Sequence, residues 1–172
     1  MIFDMTRRTG GGGGGLTPPT NAVAQFECGV TFSTQPATFT IDFTSVIAKL
    51  TSNKAYIYTL LLWRDDVVSA TTYGGIVNQI FTWGRIATNA ANGVNLDGYY
   101  TTSNSGNTNG NSVTMKSSFA LSSGKGTYTL KNMTTADVTG KFKGIFTVMP
   151  PFTTSFTGEK LTTCPTGFLS YT

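Results

Sequence analysis

The sequence predicts an all-β fold: antiparallel strands packed as a sandwich or jelly roll. Three observations carry this. Eight or nine segments of strand length are apolar at alternate residues or apolar throughout, with turn residues between them. At most one short helix is available, so a parallel sheet, which needs crossover helices, is excluded. The composition agrees: 32 Thr suit strands, while 20 Gly and 11 Asn suit turns. No internal repeat points to a propeller or solenoid.

The chain divides into an arm, residues 1–23, and one β domain, residues 24–172. The arm carries Arg7 and Arg8, then the run Gly10, Gly11, Gly12, Gly13, Gly14 and Gly15, then Pro18 and Pro19. Six glycines in a row hold no regular element, because glycine loses the most conformational freedom on folding. The two prolines stiffen the approach to the first strand. In AQFECGVTF (24–32) Ala24, Phe26, Cys28, Val30 and Phe32 alternate with Gln25, Glu27, Gly29 and Thr31. That period of two predicts a half-buried strand. Residues 37–43 repeat the pattern with Ala37, Phe39, Ile41 and Phe43, leaving Asp42 facing solvent. Residues 44–50 have room for a turn or two of helix. AYIYTLLLWRDD (55–66) is apolar on both faces and stops at charge, as a central strand covered on both sides would. Further strands are expected at 75–83, 93–100, 113–121, 125–130 and 141–149, with one edge strand within 161–171. TTSNSGNTNGNS (101–112) has no apolar residue and reads as an exposed loop.

Charge is sparse. Asp, Glu, Lys and Arg make up 12% of the chain, and the net charge is +4. This is mild basicity, not the dense basic face of a dedicated nucleic-acid binder. A surface of hydroxyls and amides leaves little repulsion against self-association, which fits an assembly subunit or a secreted binding module. No apolar stretch reaches the ~20 residues of a membrane helix, and no apolar leader is visible at the start. The two cysteines, Cys28 and Cys164, make no disulfide scaffold, and Cys28 reads as a buried free thiol.

Catalytic constellations are hard to assemble from these residues. There is no histidine, which removes His-based triads and the commonest general base. The glycine run lacks the Lys and Ser or Thr that a phosphate-binding loop requires. SGKGT (123–127) reads as a hairpin turn. Asp65 and Asp66 are the only adjacent carboxylates. Neighbours on a strand point to opposite faces, so they cannot act as a glycosidase pair if the strand continues through them. At a strand end they could ligate Ca²⁺ with backbone oxygens, but the plainer reading is that the strand stops there because the chain reaches solvent. The expectation is no enzyme, no cofactor, no metal site and no catalytic residue. The aromatic residues read as core and interface filling.

The arm followed by AQFECGVTFSTQPATFTIDFTSVIAKLTSNKAYIYTLLLWRDD resembles the opening of the single jelly-roll capsid proteins of small icosahedral viruses, especially satellite plant viruses. The likeness covers residues 7–66. Beyond it only strand count, length and KFKGIFTVMPP (141–151) agree. The resemblance implies an antiparallel eight-stranded jelly-roll β-sandwich whose wedge-shaped subunits, in 60 or more copies, close a shell. It implies an inward arm with Arg7 and Arg8 on the packaged nucleic acid, expected to be single-stranded RNA, and a place in the virion. The arms of that family are usually far more basic. Sixty copies at +4 carry about +240, whereas the nucleotides needed to encode 172 residues carry about −516. Polyamines could neutralise the remainder, or the chain could be a minor, spike or decoration subunit. The alternative expectation is a carbohydrate- or receptor-binding β-sandwich with 101–112 as its ligand loop.

Overall fold

A computed structural model describes residues 21–66, 76–89, 93–105, 119–122, 124–129, 139–151 and 155–172. In chain order the elements are β1 (Ala24–Phe32), β2 (Thr38–Asp42), α1 (Thr44–Ile47), β3 (Ala55–Arg64), β4 (Ile76–Asn89), β5 (Gly93–Ser105), β6 (Phe119–Ser122), β7 (Lys125–Thr129), β8 (Gly140–Met149) and β9 (Leu169–Tyr171). Every strand pairing is antiparallel. Five strands form one sheet in the order β1-β8-β3-β4-β5, and four form the other in the order β6-β7-β2-β9.

The alternating patterns face the two sheets toward each other. Phe26 and Phe32 of β1, Tyr58, Leu60 and Leu62 of β3, and Phe142, Phe146 and Val148 of β8 are buried on one side; Phe39, Ile41 and Tyr128 are buried on the other. Phe146 lies at the centre, with ring centroids 5.3 Å from Phe26, 4.8 Å from Phe168 and 6.0 Å from Phe43. The phenol of Tyr58 meets that of Tyr128 across the layers, so both buried hydroxyls find a partner. Burial holds the Tyr128 phenol far above its usual range.

Strands β6 and β7 pair as a hairpin, and Gly124, just before β7, supplies a positive φ of 78°. Asp42 ends β2 and holds the turn into α1, its Oδ1 accepting the Thr44 N–H at 3.0 Å. Partial burial raises the Asp42 pKa, but the Thr44 hydrogen bonds and the Lys125 charge outweigh it and hold the carboxyl below its ordinary value.

Three expectations change. The central strand β3 is buried on one face only: Tyr56, Tyr58, Leu60 and Leu62 are inside, while Ile57 is 49% exposed and Leu61 and Trp63 are half-buried. Two layers cover one face of each sheet, and no third layer is described over β3. Residues 101–105 belong to β5, not a loop, because their backbone pairs with β4, as in Thr102 with Ile80 and Thr101 with Phe81. The ladder satisfies this backbone although its sequence has no apolar residue. Residues 106–112 lie outside the described residues, as do residues 1–20. Within the segment read as the arm, Ala22 and Val23 are buried, and Val23 donates to the Val148 carbonyl at 2.9 Å.

Gly144 of β8 faces Cys28 on one side and Leu62 on the other. A Cβ there would lie 1.7 Å from the Leu61 carbonyl oxygen, a backbone atom that cannot move alone. Gly144→Ala is therefore expected to cost about 4 kcal/mol or more of unfolding free energy, or to prevent folding. Gly167→Ala has open space but a φ of 71°, and should cost only about 1–2 kcal/mol. Urea unfolding of the two variants checks the difference. Asp42→Asn should destabilise at neutral pH. Because the native carboxyl has the lower pKa, its contribution is present above the ordinary Asp value and is lost as pH falls through the native one. Wild type and variant should then converge in acid.

Candidate functional site

The outward face of the five-stranded sheet brings together residues far apart in sequence. Residues that alternate with the buried set point away from the core. Register aligns Glu27 with Ile145 and Leu61, and Gly29 with Lys143 and Trp63. Leu61 in turn faces Phe81 on β4, whose ring stacks on Trp83 at 4.9 Å with a 21° interplanar angle. An apolar and aromatic band thus crosses β8, β3 and β4, and Glu27 and Lys143 stand at its β1 end.

Beside this end lies a cavity of about 600 Å³. Its walls include Glu27, Trp63, Arg64, Asp65, Lys143 and Ile145, and it reaches Cys28 and Cys164. Gly29 and Gly144 also line it and contribute no side chain; at Gly144 the neighbouring backbone is too close for one. Lys143 Nζ pairs with Asp65 Oδ2 at 2.6 Å. The hydrogen bond to Asp65, its charge and that of Glu27 together raise the Lys143 pKa.

Arg64 serves a different purpose. Its side chain is only 6% exposed, and Nη1 donates to Asp66 Oδ2 at 3.1 Å and to the Thr139 carbonyl at 2.8 Å. Its guanidinium sits 5.0 Å from the centre of the Phe142 ring. It ties the end of β3 to the start of β8. Asp65 and Asp66 lie beyond the end of β3 and pair with separate cations, Lys143 and Arg64.

The site offers an indole, an aliphatic wall and a locally compensated set of charges, which suits binding a partly apolar surface. The sequence-predicted contact residues Arg7 and Arg8, and Gly10 through Gly15, lie outside the described residues. Sequence reasoning did not single out Glu27, Trp63, Lys143 and Ile145 as a group. Their outward positions were readable from the alternation; their juxtaposition depends on β8 lying between β1 and β3. Comparison with models of known families, with curated proteins and with solved structures finds no match.

Two cations in one neighbourhood should behave oppositely. Lys143→Ala is expected to leave the unfolding midpoint nearly unchanged, because its pair is open to water. Arg64→Ala strands Asp66 and a carbonyl and should cost about 2–4 kcal/mol. Thermal and urea unfolding of both variants test this.

Proposed function

We propose that this chain is a coat subunit that assembles with copies of itself into a closed icosahedral shell around single-stranded RNA. The role is structural and the chain carries no reaction of its own. The observation that supports it best is the long-range zipping of the fold. The β1–β2 pair of strands lies against the β7–β8 pair, with β1 on β8 in one sheet and β2 on β7 in the other. With β3 on the far side of β8, these pairings are compatible with the wrapped ribbon from which a jelly roll is built and support that reading. An eight-stranded roll would carry β4 and β5 differently, so the proposed roll is one with an extended first sheet. The sparse charge and the half-open apolar band suit subunit contacts. Arg7 and Arg8 would hold phosphate, and Gly10 to Gly15 would pass between neighbours where Cβ atoms would clash.

Carbohydrate or receptor binding is the second reading, favoured by the cavity beside Trp63. Its ligand would lie on the sheet face, with Trp63 as a stacking plane, and its assemblies would be small.

Negative-stain electron microscopy and the 260/280 nm absorbance ratio of the purified full chain separate the two. Uniform closed particles with a raised ratio are expected, and Arg7→Ala with Arg8→Ala should lower the ratio while particles persist. Small discrete oligomers with a protein-like ratio, together with glycan binding that Trp63→Ala abolishes, would replace the coat reading with the second.

A further inference from the structure

We propose that Cys28 and Cys164 form a thiol-modification site: a dithiol that a small-molecule disulfide oxidises to an intrachain cross-link between β1 and the segment that follows β8.

The two thiols belong to one locus. β1 is an edge strand of its sheet, and residues near Leu161 run beside it. Leu161 N–H donates to the Val23 carbonyl at 2.9 Å, Gln25 N–H donates to the Leu161 carbonyl at 3.0 Å, and the Ala24–Leu161 bridge is parallel. From that anchor Cys28 lies four residues on along β1 and Cys164 three residues on along its neighbour. Backbone pairing is limited to that bridge, and the chain bends at Thr163, so what brings the thiols to one place is the cavity they share; a disulfide needs their Cα atoms about 4.4–6.8 Å apart. Both cysteines are free, both line the same cavity, and Cys164 packs against the core that holds Cys28. Directly opposite Cys28 on β8 is Gly144, so no side chain from that position separates the thiol from its neighbours.

Exposure sets the order of events. Cys28 is 7% exposed, and burial, with Cys164 adding to it, pushes its pKa far above the ordinary thiol range. Cys164 is the more accessible, although burial raises it too, and its Sγ contacts the Pro165 carbonyl at 3.6 Å. Cys164, as thiolate, therefore attacks one sulfur of the small disulfide. The S–S bond breaks, a mixed disulfide forms, and the first small thiolate leaves and takes up a proton. The Cys28 thiol then gives up its proton, its sulfur attacks Cys164 Sγ, and the second small thiol departs. Two protein thiols lose two electrons, and the small disulfide gains them.

The test treats the folded full chain with oxidised glutathione. Intact mass should fall by two hydrogen atoms with no glutathione retained. One peptide should join residues 28 and 164, and Tm should rise by about 5–15 °C, because the link closes most of the domain into a loop. Cys28→Ala should instead retain one glutathione on Cys164, and Cys164→Ala should stay unmodified while folded. Glutathione retained on Cys164 of the wild type, a disulfide between two chains, or no reaction would each overturn the proposal. The wild-type mass decides the matter even if Cys28→Ala fails to fold.

Discussion

Strand β8 carries hydrogen-bond ladders on both sides, to β1 and to β3, and at Gly144 the backbones approach too closely for any Cβ. Much else follows from this insertion. It brings Phe142, Phe146 and Val148 over the core at the middle of the five-stranded sheet. It sets Lys143 beside Asp65 and Trp63, and Ile145 between Glu27 and Leu61. The β1–β8 pairing joins residues more than a hundred positions apart, so its loop entropy must be met by burial, and the buried aromatic cluster around Phe146 is what burial supplies.

A second set of contacts fastens the end of the chain to the start of the domain. Tyr171 packs its ring on Phe32 at 4.9 Å, and its hydroxyl accepts the Ser33 N–H at 2.7 Å. The Thr172 carbonyl accepts the N–H groups of Ala37 and Thr38. With the Leu161 contacts on β1, this segment covers parts of edges that would otherwise present unpaired backbone. A cross-link at Cys28 and Cys164 would make covalent a clasp that the fold already forms by hydrogen bonds. It would close where disulfides persist, as outside the cell.

Local pattern made most of these elements legible. AQFECGVTF matches β1 to the residue, and KFKGIFTVM matches β8 but for Gly140, because period two and turn residues are local signals. The hydroxyl-rich stretch of β5 reads as a loop for a physical reason. A strand can be held by backbone pairing alone, and residues 101–105 carry no apolar signature to announce it. The apolar run of β3 reads as covered on both faces, since hydrophobicity does not say how many layers a domain has. The site was the least legible part. Glu27, Trp63 and Lys143 sit on three strands, and nothing local to any of them tells that β8 separates the other two.

That last point bears on how copies of such a chain could associate. Charge gives little long-range guidance here: the net charge is small, and Lys143 and Arg64 are engaged by neighbouring carboxylates. Within about one Debye length, ~10 Å, opposite charges so paired leave only weak fields. In the proposed coat, recognition between subunits would then rest on short-range fit of apolar and hydroxyl surface. The half-open band of Ile57, Leu61 and Trp63 is surface of that kind. In the proposed coat, shape and burial select the neighbour, and basic charge is reserved for the arm, where Arg7 and Arg8 can meet phosphate without opposing the packing of the shell.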